Sequence, residues 1–316
     1  MSNPKSAESR QSFIDAKPFQ GMNIADNSIL NMLEGRQPCP KCGKSRKFYC
    51  YSCYVPIAEL EGKLPFVKLP IKIDIIKHKN EIDGKSTAGH AAILAPEDVS
   101  IYTYPNIPDY RNENVVLIFP SQQAINVSQL VSSNLPLDSI KGCKNDSLDE
   151  IPKGHHRSTL MKYIPESRED YEFNRTTKEL PISKAIFIDS TWNQSRGIYK
   201  DERIKRIPCV VIQNRISQFW RHQKGSPRWY LSTIEAIHQF LIEVHLHCWG
   251  LNPNYSGIKN CVTEKCLSHF EGLYSSESQA YNGQYDNLLY FFHHMYDLIH
   301  KYYQHKDLYA YKRRLL

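Results

Sequence analysis

Short uninterrupted apolar runs constrain this chain more than any other feature. "VVLIF" (115–119) stops at Pro120, "AIFI" (185–188) stops at Asp189, and "CVVI" (209–212) is a third run of the same kind. Each is too short for a helix, and a strand with one wet face would alternate, so these runs suit strands covered on both faces, as in a parallel sheet. A different pattern holds in "FVKLPIKIDII", where Val67, Leu69, Ile71, Ile73 and Ile75 alternate with mostly polar neighbours and predict a strand with one buried face. Helical signals lie between and after the runs. Ser86 can cap a helix running through "TAGHAAILA", which ends near Pro96. Ser232 and Glu235 have capping-box spacing, and Ile234, Ile237, Leu241 and Val244 then recur along one helical face. The segment 285–303, apolar nearly all round, predicts a core helix. Strands interleaved with helices imply an α/β fold with a mainly parallel sheet.

The rest of the chain divides around that core. Residues 1–30 are polar and aperiodic and read as a disordered arm, and 306–316 as a tail. Residues 141–180 hold eight basic and eight acidic residues with few aliphatics, the composition of a flexible insertion between the two halves of the α/β part, 63–140 and 181–305. No stretch approaches the ~20 apolar residues that cross a bilayer, and 1–20 lacks the apolar centre of a secretory signal, which implies an intracellular protein. Forty Lys and Arg against 33 Asp and Glu give a net charge of +7, an excess that favours a polyanionic partner without requiring one.

"CPKCGKSRKFYCYSC" sets Cys39 and Cys42, then Cys50 and Cys53, in two C-x-x-C pairs seven residues apart. Two such turns can close a tetrahedral shell of four thiolates, so 31–62 is read as a compact zinc knuckle or ribbon, structural because no ligand position stays open. Gly43 suits the tight turn after Cys42. Lys44, Arg46, Lys47, Phe48, Tyr49 and Tyr51 fit two readings equally, an RNA-contacting loop or a local aromatic core. "DGKSTAGH" imitates a phosphate-binding loop but fails its test, since Lys79 stands where the first glycine belongs. A helix start with two hydroxyls and Lys85 can still receive an anion.

Three clusters fall at strand ends or helix starts, where α/β sheets collect ligands: Phe119–Pro120, Asp189–Trp192, and "STIEA" (232–236). Each has a plain alternative, as strand stop or helix cap. Here the sequence also resembles a family. "IDSTW" matches the D-x-T-W signature of DTW-domain proteins, and "HKNEIDGKST" (78–87), "VLIFP" (116–120), "FWRHQKG" (219–225), "LSTIEA" (231–236) and "GQYDNLL" (283–289) agree in order. The resemblance implies a knotted SPOUT-like fold and a tRNA-uridine aminocarboxypropyltransferase, with S-adenosylmethionine as co-substrate and uridine N3 in the tRNA D-loop, position 20, as acceptor. It also implies a nuclear protein, with the cytoplasm as a second compartment. Rival readings are an RNA-binding protein without catalysis and an RNA methyltransferase.

On that reading Asp189 is the candidate base for the N3 proton, or else holds the donor's amino group. Trp192 stacks on adenine or uracil, or walls the pocket. Thr87, Phe119, Pro120, Ser190, Thr191, Ser232 and Thr233 are candidates to bind the donor. Glu235 caps Ser232 or compensates a cation. Lys85, Arg221, His222, Lys224 and Arg228 are candidates for RNA, where "WRHQKGSPRWY" interleaves cations with Trp220 and Trp229; a solvated loop is the alternative.

Overall fold

The apolar runs come together as neighbouring strands. The computed structural model describes residues 12–132, 180–213, 215–222 and 226–313, and the side chains of 192 and 193 lie outside that description. Six strands, β1 (Lys72–Lys77), β2 (Val99–Thr103), β3 (Val115–Ile118), β4 (Ile125–Asn126), β5 (Lys184–Asp189) and β6 (Cys209–Val211), form one sheet in the order β2-β1-β5-β3-β6-β4. All five pairings are parallel. The described α-helices used below are α1 (Ala88–Leu94), α2 (Val127–Ser132), α3 (Trp192–Tyr199), α4 (Thr233–Trp249), α5 (Glu264–Glu271) and α6 (Tyr290–His300).

Two cores explain the lack of alternation. On β5, Ala185 and Phe187 join one core with α1 and α4, whereas Ile186 joins a second with Ile198 and Tyr199 of α3. Successive side chains point to opposite faces, so a strand between two dry layers must be apolar at every position. β1 obeys the same rule, which corrects the expectation of one buried face: Ile73 and Ile75 enter the first core and Ile76 the second. Its polar Asp74 is tolerated because Lys184 lies 3.2 Å away. Val67, Leu69 and Ile71 are buried but precede the strand.

The helices leaving β1 and β5 diverge. α1 covers the first face and leads outward to β2; α3 covers the second face and leads the other way, to β6. A crevice therefore opens at the carboxyl ends of β1 and β5, the switch point at which such sheets bind ligands. Lys77 and Asp189 are the last residues of those two strands.

α4 is buried through most of its length, and its polar side chains hold a strap of chain running along it. Gln218 N–H donates to Glu235 Oε1 (2.7 Å), Arg215 Nη1 to His238 Nδ1 (2.7 Å) and Gln213 N–H to Glu243 Oε1 (2.7 Å). Burial pushes the Glu243 carboxyl up to about 8, against the pull of the Gln239 amide and the Gln213 N–H. The folded state then holds a proton that the unfolded chain releases near 4.5, so this group stabilises below that pH and loses its contribution as pH rises to about 8. The slope is at most roughly 1.4 kcal/mol per pH unit. Urea midpoints at pH 6 and 8 are expected to differ less for Glu243→Gln than for the native chain; parallel slopes would refute the assignment.

Residues 12–30 depart from expectation. Ile14 and Leu30 are buried, Asp15 pairs with Arg228, and Asn23 N–H donates to Asp286 Oδ2 (2.7 Å), so 12–30 packs on the body and is no free arm. In the 306–316 tail, Ala310, Tyr311 and Arg313 are buried and the Tyr311 hydroxyl donates to the Gln218 carbonyl (3.0 Å). A polar, aperiodic sequence hides such contacts because side-chain hydrogen bonds to distant residues leave no local pattern. The insertion expected at 141–180 lies outside the described residues up to 179. Among the described residues no helix is long and apolar enough to cross a membrane.

Candidate active site and cysteine cluster

Asp189 is 5% exposed and closes β5 at the crevice. Its Oδ2 accepts from the Ser86 hydroxyl (2.7 Å), on the loop after β1, and its Oδ1 from the Thr233 hydroxyl (2.5 Å), the first residue of α4. One carboxylate thus ties its own strand to two segments that lie 103 and 44 residues from it in sequence. Burial pushes its pKa above the usual carboxylate range, and the two hydroxyls and the Lys77 ammonium offset only part of that rise.

Ser86, expected as the cap of α1, serves the acid instead. Thr87 is the capping residue, while Ser86 Oγ accepts from Ala88 N–H (3.0 Å) and donates its hydrogen bond to Asp189. The Thr87 hydroxyl accepts from Ile234 N–H (3.1 Å), so it fastens α1 to the start of α4.

The remaining residues of the signature mainly build the helix start. Thr191 caps α3 in a reciprocal capping box with Gln194, and the Ser190 and Ser195 hydroxyls lie 2.8 Å apart. Trp192 opens α3. Phe119 follows β3, is buried, and stacks on Tyr199 with ring centroids 4.7 Å apart; half-buried Pro120 comes next. Ser232 and Glu235 leave the list of pocket residues. The Glu235 carboxylate is fully buried and accepts from Ser217 Oγ, Gln218 N–H, Ser232 N–H and Ser232 Oγ at 2.7–2.9 Å. Those four donors occupy the group as a cap and strap anchor.

The expected RNA residues separate. Arg228 is 0% exposed, with both terminal nitrogens on Asp15 at 2.7 Å, so it is an internal ion pair and no RNA contact. Its partner sits in the segment read as an arm, which is why the loop sequence could not reveal it. Arg221 is half-buried and points Nη2 at the Gly84 carbonyl (3.4 Å), while Lys85 and His222 are exposed. Lys224 lies outside the described residues. Trp220 packs on Phe292 with centroids 5.2 Å apart and belongs to the core.

Two charged residues were missed. Lys77, 9% exposed, is the register partner of Asp189 and pairs with Asp83. A signal existed: Lys77 closes a strand buried on both faces, where a lone charge needs a reason.

The four cysteine sulfurs lie within 4.8 Å of one another, and Cys42 Sγ and Cys50 Sγ are 3.7 Å apart. A tetrahedral ion with metal–sulfur bonds of 2.3 Å separates its ligands by about 3.8 Å, so the set could hold one metal ion. The cluster rests on two small hairpins, Gln37–Pro38 with Ser45–Arg46 and Tyr49–Cys50 with Val55–Pro56. Gly43 has φ +69°, the left-handed conformation its turn requires. Although burial raises it, the Cys50 thiol is drawn down to about 6 by the N–H groups of Ser52 and Cys53 and by Arg46. Of the two readings of the intervening loop, the aromatic core holds for Phe48 and Tyr49, whose rings pack on His294 and on Phe291 and His90 at 4.9–5.8 Å. Beyond Cys50, Ser52 Oγ lies 3.4 Å from Asp83 Oδ2, so the second knuckle abuts the crevice.

A DTW domain model matches residues 47–300. A rat protein named tRNA-uridine aminocarboxypropyltransferase 1 is 41% identical over 290 residues, covering 89% of this chain and 84% of its own. The human protein of that name is 41% identical over 315 residues (93% and 91%), and the Xenopus laevis one 38% over 308 residues (93% of each). No solved structure matches the chain. The match spans both halves of the sheet, the aspartate and its two hydroxyl partners, and the chain belongs to the DTW-domain family.

Proposed function

We propose that the protein is a tRNA-uridine aminocarboxypropyltransferase. It moves the 3-amino-3-carboxypropyl group of S-adenosylmethionine to N3 of a D-loop uridine, at position 20. The observation that carries this is the buried, doubly hydrogen-bonded Asp189 at the switch point, in a chain 41% identical to transferases so named. The chemistry needs little else. Uridine N3 becomes nucleophilic as its proton passes to the Asp189 carboxylate; N3 then bonds to the donor's terminal propyl carbon, the carbon–sulfur bond breaks, and sulfur keeps the pair in neutral methylthioadenosine. Ser86 and Thr233 fix the carboxylate while leaving each oxygen a free lone pair. Because three carbons flank the sulfonium, the product depends on which one faces N3, so positioning is the main task.

The decisive experiment supplies unmodified tRNA with S-adenosylmethionine labelled in either the methyl or the carboxyl carbon. Carboxyl label in RNA supports the proposal, methyl label supports methyl transfer, and neither leaves a binding protein.

A surface beside the crevice supports the tRNA reading. Arg221, Lys85 and His222 border it, the Tyr309 ring lies 6.0 Å from His222, and Lys312 Nζ stands 5.1 Å over that ring. Tyr309 is 70% exposed, and a cation beside an exposed ring suits an unpaired base and its phosphate. Arg221→Ala is expected to weaken tRNA binding and flatten the dependence of log Kd on log salt by about one unit, the share of one phosphate contact. Binding titrations across a salt series check it, and an unchanged slope removes Arg221 from the interface.

We also read the four sulfurs as a structural zinc site, on their spacing; the sheet as SPOUT-like and knotted, on the family resemblance; and the nucleus as the compartment, on that resemblance alone.

A further inference from the structure

Register partners on adjacent strands project from the same face of a sheet, so Lys77 and Asp189 leave its carboxyl edge side by side, on the side of α1 and α4. Lys77 is buried and its ammonium is closed on Asp83, whose side chain is 32% exposed. Tyr54 lies against that ammonium, Ser52 against the other oxygen of Asp83, and Glu81 near enough to Asp189 to feel its charge. One buried cation thus faces three carboxylates at the mouth of the crevice.

The reading above supplies a ligand with complementary charges and gives the pair no task. The group to be transferred ends in an α-carboxylate and an α-ammonium, beside a sulfonium. We propose that Lys77 and Asp83 form the receptor for this amino-acid end of the donor: the ion pair opens, Lys77 takes the α-carboxylate and Asp83 the α-ammonium. Inserting the zwitterion exchanges one pairing for two, and the desolvation of Lys77 has already been met in folding. Glu81, the other anion near it, suits the sulfonium. The inference rests on S-adenosylmethionine being the donor, and it assigns Ser52 and Tyr54, beside Cys53, as positioning residues for the receptor.

Methylthioadenosine, which lacks the amino-acid end, separates the two ideas. Binding of S-adenosylmethionine and of methylthioadenosine is measured by calorimetry for the native chain, Lys77→Met and Asp83→Asn. The native chain is expected to bind both. Lys77→Met should lose about 10- to 100-fold in affinity for S-adenosylmethionine, the range for a charge-assisted pair, with methylthioadenosine binding unchanged; Asp83→Asn should shift the same ratio less. An unchanged ratio in both variants overturns the receptor while leaving the transferase reading intact. A native chain that binds neither compound sinks the donor reading itself. Should Lys77→Met fail to fold, Asp83→Asn alone decides, because Asp83 is partly exposed and its amide keeps the shape of the loop.

Discussion

Replacing Asp189 by Asn is expected to reduce transfer by about 10²- to 10⁴-fold, the contribution typical of a positioned general base, while donor affinity changes little. Asparagine keeps the shape and can accept from Thr233, but it cannot take the uridine proton. A single-turnover assay with carboxyl-labelled donor measures the first quantity and calorimetry the second. Stability should move the opposite way. Because burial raises the Asp189 pKa, the folded state favours the protonated acid; that contribution is complete below the unfolded pKa and is lost as pH rises through the folded one. Above the folded-state pKa the native chain carries a buried charge that Asn removes, and there Asp189→Asn should melt higher. A purely structural aspartate gives the reverse, lower stability with turnover kept, and that outcome would sink the assignment. The raised pKa also sets the pH profile: the reactive form is the carboxylate, so the rate should fall on the acid side at a pH above that of an ordinary aspartate.

This opposition shows why the pocket was only partly legible in the sequence. Apolar runs with no alternation are a direct consequence of two dry faces, and the strands could be read from them. Capping boxes are equally local, so Ser232 with Glu235 was visible, as was the alternative that the pair serves its helix and no ligand; the structure chose the alternative because Gln218 and Ser217 also donate to Glu235. What could not be read was any pairing across the fold. Arg228 and Asp15 are 213 residues apart, and Ser86 and Asp189 are 103 apart. Nothing in a loop rich in cations and tryptophans says which cation turns inward. The register of β1 against β5, which puts Lys77 beside Asp189, depends on strand order, and strand order is set by helices covering opposite faces.

Removing metal from the cysteine cluster should produce the largest structural effect. The hairpins holding Cys39, Cys42, Cys50 and Cys53 are only two residues per strand, too short to hold shape without a cross-link. Yet Phe48 and Tyr49 between them pack on Phe291, His90 and His294, so losing the hairpins strips one side of the main core. Native protein is expected to contain one zinc per chain by elemental analysis, and chelation or Cys50→Ala should lower the melting temperature by roughly 10 °C or more, since structural zinc in small modules contributes about 10 kcal/mol. Metal-free protein with an unchanged transition would end the zinc reading. The loss should also reach the crevice: Ser52 and Tyr54 flank Cys53 and touch the Asp83–Lys77 pair. In protein that stays folded after partial chelation, preference for S-adenosylmethionine over methylthioadenosine should therefore collapse before methylthioadenosine binding does. Equal loss of both would mean that the cluster supports the fold without shaping the receptor.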